Sequence, residues 1–255
     1  MTATQETPVS PDITVKPVSR RPKQLPYPLN IYQSAVGKKW VMALTGLAMM
    51  GFVFAHMVGN LKMYLGPVEY DHYSAGLREL LYPLLPKEGA LWLLRSGLIV
   101  ALLLHLHSAY SLTMMNRRSR PVAYQSRRDY LAANFASRTM RWSGIIVLAF
   151  IGFHILNLTT GTIAAPDFEH GAVYSNLVHA LDQPWVALIY IVSNLALGVH
   201  LFHGAWSLFQ SLGANNPRLN AARRYFAIGF TAVVIGLNLT FPVAVLAGVV
   251  SLPGS

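Results

Sequence analysis

The chain has 255 residues, of which 53% are hydrophobic and only 12% are charged. So few charged residues cannot cover a water-soluble globule of this size, which excludes the ordinary soluble classes and indicates an integral membrane protein. The chain contains no cysteine, so a disulfide framework, a Cys-based zinc site or an ordinary Cys-ligated iron–sulfur cluster cannot be built from this chain alone.

The first 26 residues are rich in Pro, Thr, Ser and Lys and have no apolar core, so they predict a disordered cytoplasmic tail and not a signal peptide. The remainder, 27–255, predicts one all-α membrane bundle without an internal repeat. Runs of about 20 apolar residues predict five transmembrane helices, at 40–64, 90–115, 142–160, 184–212 and 225–250. The connection 66–89 predicts a short interfacial helix, whereas the other connections predict loops, at 116–141, 164–183 and 214–224.

The net charge of +10 is unevenly distributed along the chain. Sixteen of the 20 Lys and Arg residues lie before residue 40 or in the second and fourth connections, whereas seven of the ten acidic residues lie in the first and third. By the positive-inside rule, this pattern places the N-terminus in the cytoplasm and the C-terminus outside. The basic excess therefore reflects topology and attraction to lipid headgroups, and we expect no nucleic-acid partner.

Four predicted spans carry histidines at membrane depth, namely His56, His107, His154 and His200. An ionisable side chain at that depth is costly and usually functional, and four imidazoles can hold two haem irons by axial pairs. A rise of about 1.5 Å per residue puts His56 in the outer half of the membrane and His107 in the inner half, with the other two near the middle. Pairing odd spans together and even spans together would give one outer and one inner centre, but depth does not exclude the swapped pairing.

Two further histidines lie close to these. His105 is two residues from His107 and therefore points to another side of the helix, while His203 is three residues from His200 and shares its face. One member of each couple is surplus as a ligand and could bind a propionate, a quinone or a backbone carbonyl. A proton-coupled transporter is an alternative function, but none of the five spans contains the Asp or Glu expected there. A purely structural anchor is a third possibility.

Segments around these histidines resemble the five-span cytochrome b membrane anchor of succinate dehydrogenases and fumarate reductases. The resemblance covers about residues 32–250 and is carried by 37–39 (GKK), 42–46 (MALTG) and 56–60 (HMVGN) in the first span, 107–110 (HSAY) in the second and 198–207 (GVHLFHGAWS) in the fourth. It implies two b haems, with His56 and His154 on the outer haem and His107 and His200 on the inner one. His105 and His203 are then the surplus residues.

The resemblance also implies a place in a larger enzyme, succinate dehydrogenase (quinone), in the plasma (inner) membrane of a prokaryote. A flavoprotein subunit with the dicarboxylate site and an iron–sulfur subunit would sit on the cytoplasmic face. Electrons from succinate would pass through them to a membrane quinone, for which we expect menaquinone. The chemistry on the dicarboxylate would therefore belong to the partners. The anchor of another quinone-linked dehydrogenase, such as a hydrogenase or formate dehydrogenase, is an alternative.

Two points of this assignment stay open. The extra histidines could instead complete a mixed-ligand [2Fe–2S] cluster, with two imidazoles on one iron and both thiolates from a partner chain. A quinone site is expected at Ser34 and Lys38, one helical turn apart, because related anchors carry a Ser-x-x-x-Arg pair there. Lys38 can donate to a carbonyl, although it lacks the bidentate fork of Arg. A pocket near Glu69, Asp71 and Tyr73 on the outer side is the rival quinone site.

Overall fold

The computed structural model describes residues 25–119, 131–214 and 216–252, and it describes residues 131–138 without their side chains. These ranges contain α-helices and no strand, which confirms the predicted all-α class. The helices are α1 (Leu29–Gln33), α2 (Ala35–Asn60), α3 (Pro67–Arg78), α4 (Gly89–Arg118), α5 (Leu131–Leu158), α6 (Val173–Leu181), α7 (Pro184–Ser211) and α8 (Pro217–Leu246), and a 3-10 turn, Leu61–Leu65, continues α2. The predicted tail, 1–26, lies outside the described residues except for its last two.

Five of these helices are long and apolar enough to cross a membrane, as predicted: α2 with its 3-10 extension, α4, residues 139–158 of α5, α7 and α8. Three of them begin well before the predicted apolar runs, at Ala35, Leu131 and Pro217. At α2 and α8 the reason is polar capping, because the side chains of Ser34 and Asn216 accept backbone N–H groups of the first turn. Hydropathy locates only the apolar part of a helix, whereas the backbone hydrogen bonding of the helix continues beyond that part.

Helix α7 lies at the centre of the bundle and packs against α2, α5 and α8. Small residues allow these close contacts, since a Cβ atom at Gly198 would lie 3.2 Å from Ile235 of α8. Helix α2 also packs against α4. In the described part of the chain α4 and α5 do not pack closely against each other, so the ring formed by α2, α4, α5 and α7 is open on that side.

One end of the bundle, here termed the cap end, is covered by α3 and α6; the opposite end, where the chain enters α2, is the α1 end. The short helix predicted in the first connection is confirmed as α3. The loop predicted at 164–183 is wrong for Val173–Leu181, which forms α6 because Leu177, Ala180 and Leu181 are buried against the bundle. Tyr70 is the buried residue of α3 at this end. Burial raises the pKa of its hydroxyl, and the neighbouring Asp71 and Tyr73 add smaller contributions in the same direction.

Asp71 joins the two cap helices. Its Oδ1 accepts a hydrogen bond from the backbone N–H of Tyr174 at 2.9 Å, at the start of α6, whose own N-cap residue Ala172 makes no side-chain cap bond. We expect Asp71→Ala to lower the free energy of unfolding by about 1 kcal/mol, the usual contribution of an N-cap acceptor. Asp71→Asn, which keeps an acceptor, is the matched control. Thermal unfolding in detergent, followed by circular dichroism, measures the effect, and equal melting temperatures for Asp71→Ala and the wild type would contradict it.

Candidate functional site

Two pairs of imidazole rings face each other across the bundle. The ring centres of His56 on α2 and His154 on α5 are 5.8 Å apart, and those of His105 on α4 and His200 on α7 are 6.4 Å apart. In the ring of four helices, α2 packs beside α4 and α7, and α5 packs beside α7. The helices that carry each pair are therefore diagonal partners, and each pair spans the interior of the bundle.

The structure brings together His56 and His154, one of the predicted pairs, but it places His105 and not His107 opposite His200. Residues two apart in an α-helix point about 200° away from each other, so only one of the two can face the interior. The ring of His107 turns toward α1, where its Nδ1 lies 2.6 Å from the hydroxyl of Tyr32. The other extra histidine, His203, lies with Nε2 3.4 Å from Oγ1 of Thr139 on α5.

The hydrogen bonds of the second pair, His105 and His200, fix their tautomers. Nδ1 of His105 lies 3.1 Å from the carbonyl oxygen of Met42, which can only accept, so Nδ1 carries the proton. Nδ1 of His200 lies 3.4 Å from Oγ of Ser143, and that hydroxyl already donates to the carbonyl of Met140. The serine oxygen therefore accepts from Nδ1 of His200. In both rings the lone pair of Nε2 is left for a metal.

A chain of hydrogen bonds leads to the same result for His154. Nδ2 of Asn157, which is fully buried, donates to the carbonyl oxygens of Ile163 and Ala164, so its Oδ1 faces the other way and accepts. The hydroxyl of Tyr190 donates to that Oδ1 at 2.9 Å. The oxygen of Tyr190 must then accept from Nδ1 of His154, 3.2 Å away. His154 thus also keeps Nε2 as a potential ligand.

A short sequence pattern shared by α2 and α5 supports the second pair. Residues 42–46 (MALTG) on α2 and 140–144 (MRWSG) on α5 share the pattern Met-x-x-Thr/Ser-Gly. The glycine of each segment lies against one ring, because a Cβ atom at Gly46 would lie 3.5 Å from Cε1 of His105 and one at Gly144 would lie 3.3 Å from Cε1 of His200. The absence of a side chain lets each imidazole approach the helix backbone closely enough for Nδ1 to be bound.

The same shared pattern gives the distance between the two pairs. His56 follows Gly46 by ten residues on α2, and His154 follows Gly144 by ten residues on α5. A rise of about 1.5 Å per residue then places the pairs about 15 Å apart along the bundle axis, with the first pair toward the cap end. The bundle therefore offers two separate sites and not one shared cluster of histidines.

The spacing of the rings distinguishes between two kinds of iron site. Two imidazoles on opposite sides of one metal ion, with bonds of about 2.0 Å and ring centres about 1.1 Å further, have centres about 6.2 Å apart. Two imidazoles at a tetrahedral angle on one cluster iron would have centres about 5.1 Å apart. The observed 5.8 and 6.4 Å are closer to the axial arrangement. The described residues contain no group of three or more metal-ligating side chains, and an axial pair needs only two.

Both residues expected at the quinone site lie at the α1 end. Oγ of Ser34 donates to the carbonyl of Ile31 at 2.7 Å and accepts from the N–H of Gly37 at 2.9 Å, so it caps α2. Nζ of Lys38 lies 4.2 Å from the centre of the Tyr32 ring. Tyr32, which also contacts His107, lies beside these two residues although no motif in the sequence marked it; its position two residues before the capping serine was the available signal.

The rival site at the cap end is a cavity of about 290 Å³ lined by Lys62, Glu69, His72, Tyr73, Gly76 and Leu77. Asp71 is not among the lining residues, since its carboxylate caps α6. None of the four paired histidines lines this cavity, and its lining includes one basic residue, Lys62, and one carboxylate, Glu69.

Tyr190 should tune the first pair, His56 and His154, without being a ligand. Because its oxygen accepts the Nδ1 proton of His154, Tyr190→Phe should make that imidazole a poorer electron donor and raise the midpoint potential of an iron bound there by tens of mV, on the order expected for a lost ligand hydrogen bond. Tyr64→Phe is the matched control, because Tyr64 bonds Thr240 away from both pairs. Redox titration of the α band measures both variants, and identical midpoints for Tyr190→Phe and the wild type would contradict the role.

Comparison with known proteins adds an independent finding. Residues 114–238, from the end of α4 into α8, match the family of succinate dehydrogenase/fumarate reductase transmembrane subunits. The matched segment contains His154 and His200, one member of each pair. No curated protein and no solved structure matches the chain.

Proposed function

Because the chain belongs to the family of succinate dehydrogenase/fumarate reductase transmembrane subunits, we propose that it anchors such a complex and passes electrons between the iron–sulfur subunit and a membrane quinone. The partner subunits, a flavoprotein and an iron–sulfur protein, would dock at the α1 end on the cytoplasmic side of the plasma membrane. The charge distribution supports this orientation, since Lys38, Lys39, Arg117 and Arg118 all lie at or near that end. Oxidation of the dicarboxylate would take place in the partners.

We propose that the chain holds two b haems, one between His56 and His154 and one between His105 and His200. The observation that carries this proposal is the pair of diagonal imidazole contacts, with ring spacings near those of an axial pair. When bound, the haem iron supplies reversible one-electron transfer. This assignment replaces His107 by His105 in the pair with His200 and keeps the other three expected ligands.

The residues of the chain contribute the orientation of the ligand rings. Met42, Ser143 and Tyr190 each accept the Nδ1 proton of one ligand ring, so the rings cannot rotate and Nε2 points away from its own hydrogen-bond partner. His56 is held differently, by stacking on Phe52 with ring centres 5.4 Å apart. A ligand that is fixed in advance needs little rearrangement when the charge of the metal changes.

The mixed-ligand [2Fe–2S] cluster receives less support. Besides the ring spacing, the depth of the second pair inside the bundle disfavours such a cluster. Gly46, which lies against His105, follows the first residue of α2 by 11 residues, or about 16 Å along the helix. A partner chain would have to bring two thiolates that far into the bundle.

For the quinone, we propose a headgroup site at the α1 end, beside Ser34 and Lys38 and near the iron–sulfur partner. The position of the second pair toward this end supports it, because the electron path from the partner is then short. Menaquinone is the quinone we expect. The cavity at the cap end, lined by Glu69 and Tyr73, is the alternative; a quinone there would require electrons to cross most of the membrane.

Reduced-minus-oxidised optical spectra of the intact complex, together with haem, iron and labile-sulfide analysis, test the proposal. We expect a b-type α band, two haems per chain and succinate-dependent reduction of that band. Co-purification with hydrogenase or formate dehydrogenase subunits would instead assign the chain to another quinone-linked enzyme. A preparation without the α band would contradict the haem proposal, and an additional labile-sulfide content assigned to this chain would favour the cluster.

A further inference from the structure

We propose that Tyr32, held by His107 and Lys38, supplies the hydrogen bond that binds the quinone headgroup at the α1 end. This inference rests on the proposed function and names the donor within the proposed quinone site. A quinone carbonyl oxygen is an acceptor, so the site must offer it an N–H or O–H donor that no other group has taken. Between the hydroxyls of Ser34 and Tyr32, the hydrogen bonds that each one already makes decide which of them can serve.

The hydroxyl of Ser34 is committed elsewhere. It carries one proton, and that proton goes to the carbonyl oxygen of Ile31 at 2.7 Å, a partner that can only accept. Its oxygen receives the N–H of Gly37 and so caps α2. Donation from Ser34 to a quinone would leave the carbonyl of Ile31 without its partner, so this serine is a poor donor for the headgroup.

The hydroxyl of Tyr32 is in the opposite situation, because both of its neighbours are able to donate to it. Nδ1 of His107 lies 2.6 Å from the phenol oxygen, and Oγ of Ser108, a fully buried residue, lies 3.1 Å from it. Oγ of Ser111 lies 3.5 Å from Nε2 of His107. The proposal assigns Ser111 as the donor of that contact, so that the imidazole keeps its proton on Nδ1 and gives it to the phenol oxygen. The proton of Tyr32 is then available for a ligand.

Two contacts hold the phenol in place for that task. Nζ of Lys38 lies 4.2 Å from the centre of the Tyr32 ring, within the range of a cation–π interaction. The ring centres of Tyr32 and His107 are 5.7 Å apart with a tilt of 31°. The half-buried Tyr32 thus joins α1 to α2 and α4 beside the basic side chain, and His107, the histidine that the second pair does not use, is a positioning residue.

Steady-state quinone reduction by the complete membrane-bound complex tests this assignment. With succinate as donor and a short-chain menaquinone analogue as acceptor, Tyr32→Phe should raise the KM for the quinone roughly three- to tenfold, the factor expected for one lost neutral hydrogen bond, with a smaller change in kcat. His107→Leu should raise the KM in the same way, whereas His107→Asn, which keeps an N–H donor near the Nδ1 position, should restore it in part. Tyr27→Phe is the matched control, because Tyr27 is 80% exposed in the same segment.

An unchanged KM for Tyr32→Phe would overturn the assignment, as would an increase in Ser34→Ala that Tyr32→Phe does not show. Photolabelling of the wild-type complex with an azidoquinone provides a second measurement if Tyr32→Phe does not assemble. Label on the peptide that contains Tyr32, displaced by excess unmodified quinone, is expected; label confined to the cap-end cavity would refute the assignment. Failure of the wild-type complex to reduce quinone would instead reject the proposed function itself.

Discussion

Replacing His105 with Leu is expected to remove one of two haems from the purified complex, whereas replacing His107 with Leu should leave both in place. In the structure the ring of His105 faces His200 at 6.4 Å, while the ring of His107 faces Tyr32. A haem iron that has lost one axial imidazole is bound much more weakly. Haem content per chain, measured by the pyridine haemochrome method, should therefore fall by about half in the first variant only.

The two substitutions form a matched set, because both remove an intramembrane imidazole from the same helix only two residues apart. A general loss of folding would lower haem content in both variants. Retained assembly with the iron–sulfur partner shows that the comparison is valid. Loss of one haem in His107→Leu, with normal content in His105→Leu, would restore the pairing that the sequence resemblance implies.

His154→Leu is expected to remove the other haem and to act independently of His105→Leu. The two pairs lie about 15 Å apart along the bundle and share no ligand, so their effects should add. The double variant should contain no b haem, while each single variant should keep one with a distinct midpoint potential. Redox titration followed in the α band checks this, and complete loss of haem in either single variant would show that the two sites are not independent.

Hydropathy predicts the membrane spans well because it depends only on local composition. The five runs of apolar residues correspond to five observed helices, and only their ends differ, at caps such as Ser34 and Asn216 that lie outside the apolar runs. Hydropathy does not predict helix α6. Its nine residues are too few to suggest a span, and they are buried only because they contact the rest of the bundle, which local composition does not reveal.

The pairing of the histidines depends on helix packing, which the sequence alone does not show. Spacing indicates that His105 and His107 point in different directions, but which one faces α7 depends on how α4 is rotated against α2, and that rotation is set by packing. The repeated Met-x-x-Thr/Ser-Gly pattern was a usable signal. Met42 and Gly46 contact His105, just as Ser143 and Gly144 contact His200, so the two copies mark the helix faces that receive a ring.

The expected quinone residues illustrate a different limit. The spacing of Ser34 and Lys38 correctly places both at the start of α2, but a residue pattern does not show where a hydroxyl proton goes. The cap bond to Ile31 and the position of Lys38 over Tyr32 are tertiary or turn features. Because of these contacts, the proposed hydrogen-bond donor to the quinone is Tyr32 and not Ser34.

An experimental density map of the intact complex, at a resolution that shows side chains, is the most direct test of the two histidine pairs. We predict a flat macrocycle between His56 and His154 and a second one between His105 and His200, each with iron density between the two imidazole rings of the pair. The ring of His107 should point to Tyr32 and away from either iron. A map in which His107 ligates the iron, or in which the four paired rings contact only protein side chains, would contradict the proposal.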